Sequence, residues 1–176
     1  LIQSEFRQKN RNSDLGIDLS QYFSSDESTK GHLFYNLNKN YKNDNFDEVE
    51  LNIKLEQVSD ETYLKAYKIE SPIINNTSNL TNSLGLNLYD EDLSISTNLD
   101  IYEDLSKQDS DKYEYVPNFS FSKILNENKI FNSKGYYKHY NTNITETVLI
   151  NNFEFQSSPR YLNNGIISEK KLLIKN

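Results

Sequence analysis

The chain of 176 residues contains no cysteine, no methionine and no tryptophan, and only 5 glycines and 3 prolines. Without cysteine there is neither a disulfide framework nor a thiolate metal site, so cysteine usage carries no information about redox compartment. The few glycines form no G-x-G-x-x-G or G-K-[ST] arrangement, which excludes a phosphate-cradling loop. No window approaches about 18 consecutive apolar residues, the length of a membrane-crossing helix, although the strands of a membrane barrel never need such a run. Positive charge is also in deficit: 19 Lys and Arg face 26 Asp and Glu, for a net charge of -7. The basic residues are scattered, which argues against a surface built to track nucleic-acid phosphates. A chain that begins at Leu1 with no apolar leader and stops at L-L-I-K-N, in the middle of an alternating pattern, reads as a piece of a longer product.

What is present is aromatic and alternating. There are 13 Tyr and 9 Phe, too many for a disordered chain. Asn makes up about one residue in seven, a bias given no functional weight here. Val49, Leu51, Ile53 and Leu55 fall on one face of an extended segment while Glu48, Glu50, Asn52, Lys54 and Glu56 fall on the other. The same period runs through Leu84 to Leu88, Leu93 to Ile101 and Tyr113 to Phe121, and more weakly elsewhere. Ten strands are predicted, near 3–9, 13–23, 31–41, 47–57, 78–89, 92–104, 112–124, 129–140, 144–156 and 166–175. Most exceed the roughly five or six residues usual in soluble sheets, and about eleven residues tilted near 45° rise some 25 Å, the height of a barrel's apolar band. Connections alternate between short and long up to residue 128, as in an up-and-down barrel, and the last two break the rule. The fold class is therefore all-β: an antiparallel up-and-down meander, a partial transmembrane barrel. Tyr89, Tyr102, Tyr113 and Tyr115 lie near predicted strand ends, where either an aromatic girdle or ordinary strand tyrosines would sit.

Candidate chemistry is thin. Asp60 with Glu61, Asp90 to Asp92 and Asp109 to Asp111 could supply paired carboxylates or calcium ligands, yet none has calcium-loop spacing, and Y-D-E-D reads as a hairpin turn. His32 and His139, the only histidines, lie on separate strands with no second ligand at metal spacing and read as ordinary sheet residues. Arg7, Lys9 and Arg11 fall close together, and Arg7 and Lys9, on one strand face, could meet a phosphorylated lipid headgroup, but a solvated strand end accounts for them as well. The densest segment is Q-V-S-D-E-T-Y-L-K-A-Y. Ser59 or Asp60 is a candidate N-cap, and Tyr63, Leu64 and Tyr67 then share one side of a short helix that Pro72 prevents from continuing.

Set after an alternating strand, V-S-D-E-T-Y-L-K-A-Y resembles the V-S-D-x-[ST]-[YF]-[LF] segment of the LptD family, also called OstA or organic solvent tolerance proteins. K-G-H-L-F (Lys30 to Phe34), I-Y-E-D-L (Ile101 to Leu105) and Y-E-Y-V-P-N-F-S-F-S (Tyr113 to Ser122) extend the resemblance along most of the chain. It implies that residues 1–176 are a middle section of one outer-membrane β-barrel domain. The implied work is lipopolysaccharide transport in a Gram-negative outer membrane, with no covalent catalysis and no cofactor. The implied partners are lipopolysaccharide, an LptE-like plug lipoprotein and an LptA-like periplasmic bridge. Ser59, Asp60, Thr62, Tyr63, Leu64 and Tyr67 are then a structural motif that ends one strand and anchors the next loop. Two rivals stand beside this reading: a soluble periplasmic β-jelly-roll that holds acyl chains, and, more remotely, a sugar-cleaving enzyme with paired carboxylates.

Overall fold

A computed structural model describes residues 1–23, 29–74, 76–107, 112–126, 129–140 and 146–176. Ten strands form a single antiparallel sheet in which every neighbour in space is the neighbour in sequence. In order they are β1 (Ile2–Asn10), β2 (Ser13–Tyr22), β3 (Lys30–Tyr41), β4 (Glu48–Val58), β5 (Asn79–Tyr89), β6 (Leu93–Asp104), β7 (Tyr113–Asn126), β8 (Lys129–Tyr140), β9 (Glu146–Ser157) and β12 (Lys171–Lys175), with β1 and β12 as unpaired edges. One helical turn, α1 (Tyr63–Ala66), interrupts the β4–β5 connection. The expected last strand at 166–175 is divided. Its first part is β11 (Ile167–Ser168), which turns back on β10 (Arg160–Tyr161) as a separate hairpin, and only β12 joins the main sheet. Gly165 at φ 79° makes the return between β10 and β11 possible, a conformation the N-N-G signal favours over a continuous strand.

Register carries the alternation across the whole sheet. Leu15, Leu37, Ile53, Leu84, Leu99 and Pro117 lie in one cross-strand row, and Val49, Leu88, Ile95, Phe121, Ser133, Phe153 and Ile174 in another. Because directly paired residues share a face, these rows define one apolar face. The opposite face carries rows such as Glu50, Asn87, Ser96, Ser120, Lys134, Asn152 and Lys175. The tyrosines near strand ends divide between the two: Tyr113 and Tyr115 fall on the apolar face and Tyr89 and Tyr102 on the polar one, so they form no single girdle. Pro117 sits inside an interior strand and has no N–H to give. The β7–β8 ladder accordingly skips from Tyr115↔His139 to Asn118↔Tyr136.

The buried cluster lies mainly on the polar face; Leu80, which by register falls with Leu84 on the other, joins it where β4 and β5 part. Phe34, Tyr63, Leu64, Ile69, Leu80 and Leu105 form it, with Val58, Tyr67, Ile73 and Ile74 packed around. The β4–β5 connection folds back over β2, β3 and β4, and much of the apolar face remains exposed, with Leu84 at 51%, Phe119 at 43% and Phe153 at 40%, while Val49 and Ser133 on that face are buried.

Candidate functional site

The polar face divides into a covered part under the β4–β5 connection and an open part over β6 to β12. Under the connection, Asp18, Ser20, His32 and Tyr63 are buried together. Gln3 Nε2 donates to the Asp18 carboxylate at 3.2 and 3.3 Å, and His32 Nε2 lies 3.2 Å from Asp18 Oδ1. His32 Nδ1 is 2.6 Å from Ser20 Oγ, which is in turn 2.6 Å from the Tyr63 hydroxyl. One proton arrangement satisfies every member: Tyr63 O–H donates to Ser20, Ser20 O–H to Nδ1 of a neutral imidazole, and Nε2–H to the carboxylate. This is the reason charged and polar groups survive burial here. His32 is thus not the ordinary sheet residue the sequence suggests. It is the middle of a hydrogen-bond chain that ties a loop tyrosine to strands β2 and β3, and its ring stacks on Phe34 with centroids 4.2 Å apart.

Asp18, His32 and Ser20 have the residue types of a catalytic triad, but the arrangement does not serve that chemistry. Ser20 Oγ is already engaged by Tyr63 and buried beneath it, which leaves no approach for a substrate carbonyl. The chain is a latch between loop and sheet.

The segment from Ser59 to Tyr67 supplies the loop side of that latch. Ser59 N–H donates to the Gly31 carbonyl at 2.9 Å, and Gly31 N–H donates to Ser59 Oγ at 2.8 Å, so the segment is stitched to the end of β3. A Cβ on Gly31 would collide with the Ser20 carbonyl, which fixes glycine at this crossing of β2, β3 and the loop. The N-cap is Thr62 rather than Ser59 or Asp60, and it makes no side-chain capping bond. Asp60 instead closes a turn one residue earlier: its Oδ1 accepts the Thr62 N–H at 2.9 Å and the Thr62 hydroxyl at 2.5 Å. These two bonds, the hydroxyl first, hold the Asp60 carboxyl below the usual carboxylate range. Asp60 is therefore local punctuation, and the N-cap falls two residues past it, at Thr62. Tyr67 packs at a tilt against Tyr22 and Tyr63, each at 5.0 Å between centroids, and Leu64 enters the buried cluster.

Beneath this cover the sheet forks. The β4–β5 ladder stops at Lys54↔Ser83, while β4 continues against β3 as far as Val58 and β5 against β6 back to Asn79. Side chains replace the missing ladder bonds. Glu56 Oε2 accepts the Thr81 N–H at 2.6 Å, and Asn82 Oδ1 accepts the Glu56 N–H at 2.7 Å. Glu56 is only 2% exposed, and Lys54 Nζ lies 2.7 Å from its other oxygen, Oε1. At 2.7 Å the Lys54 ammonium is the partner of that oxygen, so both oxygens of the buried carboxylate are engaged. Leu80 fills the fork at zero exposure.

The remaining candidates are quieter. Asp90 exchanges backbone bonds with Leu93, at 2.8 and 3.4 Å, and closes the tight β5–β6 hairpin that Y-D-E-D suggests. Arg7 pairs with Glu5 on the exposed edge strand, and Arg7 and Lys9 share its polar face. Asp109 to Asp111 and the side chain of His139 lie outside the described residues. Among the described residues no three His, Asp or Glu come together as a metal site. Sequence reasoning missed Asp18, Ser20 and Glu56, since each sits at an ordinary polar-face position and only the fold-back of residues 59–74 buries it.

The open part is a groove of about 670 Å³ over β6 to β12, whose walls include Ser120, Lys134, Asn152, Glu154, Lys171 and Lys175. No curated protein and no solved structure shows significant similarity to the chain. The family model described as LptD, LPS transport system D, matches residues 28–158, which take in β3 to β9, the fork and the whole inward-folded connection. With about three-quarters of its length so matched, and an open all-β meander of ten strands beneath it, the chain belongs to the LptD family of lipopolysaccharide transport and assembly proteins.

Proposed function

We propose that this sheet is a wall of an outer-membrane barrel through which lipopolysaccharide is delivered, with the apolar face against lipid and the polar face lining the lumen. The observation that carries the reading is the inverted placement of the core. In a jelly-roll or any soluble sandwich, the longest connection and the buried cluster would cover the apolar face. Here they cover the polar one, and Phe6, Leu19, Leu33, Leu55, Leu84, Leu99 and Phe119 are left exposed across seven successive strands. Strand lengths of 9 to 14 residues from β1 to β9 suit a barrel wall. The meander puts the connection bearing α1 on the edge with the longer loops, the outer side of such a barrel, so the loop folds inward from outside. The lipoprotein plug and the periplasmic bridge expected of the family would meet this protein through the lumen and through the parts that feed it. In this role the chain carries no catalytic step: its work is to separate lipid from a polar path.

These 176 residues hold no cysteine, so once any cysteine elsewhere in the protein is replaced, each label reports on one introduced position. Single substitutions Leu84→Cys, Leu99→Cys and Phe119→Cys on one face, and Asn98→Cys and Ser120→Cys on the other, are labelled in isolated outer membranes with a lipid-partitioning and a water-soluble maleimide. The first three are expected to react only with the lipid-partitioning reagent and the last two only with the water-soluble one. Labelling of both sets by the water-soluble reagent, or recovery of the protein in the soluble fraction, removes the barrel reading.

A further inference from the structure

We propose that the rim of the apolar face along β7 to β12, at the edge opposite α1, holds the headgroup of an anionic phospholipid. The proposal rests on the reading of that face as the lipid-facing wall, and it names one lipid class at one place on it. The outermost row of large apolar side chains here runs Leu93, Lys123, Phe131, Phe155 and Leu172. Two residues nearer the edge, the same face carries Asn126, Lys129, Ser157 and Lys170. Ser157 N–H donates to the Lys170 carbonyl at 2.8 Å, and Lys170 N–H to Ser157 Oγ at 2.9 Å. Past this pair the ladder resumes one residue out of step, with Ser158 and Pro159 opposite Glu169 alone, and runs on as the β10–β11 hairpin through Arg160↔Ser168 and Tyr161↔Ile167. The apolar rows thus end in lysines, and a short ribbon projects beyond them.

The chain carries a net charge of -7, yet cations gather at this rim. Lys129, Arg160 and Lys170 are exposed and have no ion pair among the described residues, and Lys123 meets Asp92 only at 3.9 Å. Glu169, next to Lys170, is held toward the opposite face, where Gln156 Nε2 donates to it at 2.5 Å. Elsewhere the rim charges close on each other: Lys42 pairs with Asp47, and at the far rim of the same face Glu103 and Lys112 lie 2.9 Å apart. Lys129 and Lys170 flank Ser157, their Cα atoms about 10 Å apart by two strand spacings, so a phosphate over the Ser157 hydroxyl meets two ammonium groups and an O–H donor. Acyl chains below that phosphate lie along Phe131, Phe155 and Leu172, while the lysine stems follow the apolar surface to its edge. Tyr161 is 79% exposed and Ile167 60%; beside Arg160 they supply the aromatic and aliphatic groups that settle at headgroup level. A free phosphate would leave this apolar surface bare, and a zwitterionic phospholipid would bring its own cation to the lysines. An anionic phospholipid satisfies both parts. On the barrel reading this edge is the periplasmic one, so the lipid belongs to the inner leaflet.

The test is fluorescence quenching of the protein reconstituted in mixed vesicles of phosphatidylethanolamine and phosphatidylglycerol, one lipid or the other carrying brominated acyl chains. These 176 residues hold no tryptophan, so Phe131→Trp, with any tryptophan elsewhere in the protein replaced, reports on lipid at this rim, and Leu84→Trp reports on the same face away from it. Phosphatidylglycerol is expected to be preferred over phosphatidylethanolamine at least about fivefold at Phe131→Trp, and about equally with it at Leu84→Trp. The triple variant Lys129→Gln, Arg160→Gln, Lys170→Gln, which alters exposed side chains only, should bring the preference at Phe131→Trp to about one. The charge-matched variant Lys9→Gln, Arg11→Gln, Lys39→Gln, at the β1–β3 end of the same edge, should leave it unchanged. No preference at Phe131→Trp, or equal losses in the two triple variants, overturns the proposal. So does loss of the preference on addition of glycerol 1-phosphate, which would show that a free anion suffices, or displacement of phosphatidylglycerol by an equal amount of lipopolysaccharide. Failure here is separable from failure of the lipid-face reading: quenching at both reporters without preference sinks only the headgroup site, whereas quenching at neither sinks the lipid-facing wall.

Discussion

The two parts of the polar face are written in the same sequence pattern and behave differently. Over β2 to β5 the face is covered, and Asp18, His32 and Glu56 are buried with a bond or ion pair for each polar group. Over β6 to β12 the face is open, and Ser120, Lys134 and Asn152 line a groove. The strands themselves do not produce the contrast, since the alternation of faces continues from one part to the other past the fork. One connection produces it, by placing a tyrosine, a leucine and an isoleucine on a surface otherwise made for water. Burial on the polar face is thus conferred from outside the sheet, and it brings an obligation to bond every polar group it covers.

Substitutions paired across the two parts can break that comparison. The largest expected difference comes from Tyr63→Ala, which removes a fully buried ring and should cost about 3–4 kcal/mol in urea unfolding of the micellar protein. Tyr136→Ala, on the open part, should cost under about 1 kcal/mol. Similar midpoints for the two variants would show that the inward connection does not hold the covered part together. Next comes glycine. Gly31→Ala, where the connection crosses the sheet, sets a methyl against the Ser20 carbonyl and should cost about 2–3 kcal/mol, whereas Gly85→Ala, inside the β4–β5–β6 ladder, meets the side chains of Asn98 and Asn52 and should cost under about 1 kcal/mol.

Carboxylates sharpen the contrast further. Glu56→Ala leaves the Thr81 N–H unbonded inside the fork, a loss of about 2 kcal/mol, while Glu154→Ala breaks a surface pair worth under about 1 kcal/mol. The smallest effect belongs to Asp60. Asp60→Ala should lower stability by about 1 kcal/mol or less through loss of its turn bonds, with transport by correctly assembled protein retained. Because its carboxyl is held below the usual range, the stabilisation from these bonds is complete above the ordinary carboxylate pKa, near 4, and is lost as pH falls through the lower folded value. Burial also lowers the pKa of His32 in the latch, so protease protection of the β4–β5 connection should begin to fall as pH drops below the ordinary histidine value, about 6.5, and fall further in the acid window of Asp60. Asp60→Asn should remove only the second step.

Strands were legible because period-2 alternation is a local property of each segment, and their pairing order followed from short connections and long strands. The tight turn at Asp90 was legible for the same reason. The division of the last segment was not, because I-I-S-E-K-K-L-L-I-K keeps strand-like composition while Gly165 and the β10 pairing bend its start away. The position of the helix turn was close, but its cap was not: Asp60 can bond backbone N–H groups either as a cap or as a turn, and composition does not choose between them. Nor could the sequence reveal the latch, since Asp18, Ser20 and His32 are separated from Tyr63 by up to 45 positions and look like any polar-face residues until the connection folds inward. The family segment V-S-D-E-T-Y-L-K-A-Y was the one pointer to it, and its tyrosine is the residue that reaches in.

The fork between β4 and β5 bears on the order of assembly. Hairpins such as β3–β4 and β5–β6 close over short spans, so little chain entropy opposes them. Their junction spans a far longer stretch of chain, zips only from Tyr89 to Ser83, and ends in carboxylate and amide bonds that require Thr81 and Asn82 to be in place already. Such a seam should form after its flanking hairpins, with the closing of the tyrosine latch as its last step. During that interval the unbonded ends of β4 and β5 are the stretch of sheet most open to capture by a foreign strand, and the stretch where a folding factor would have most to guard.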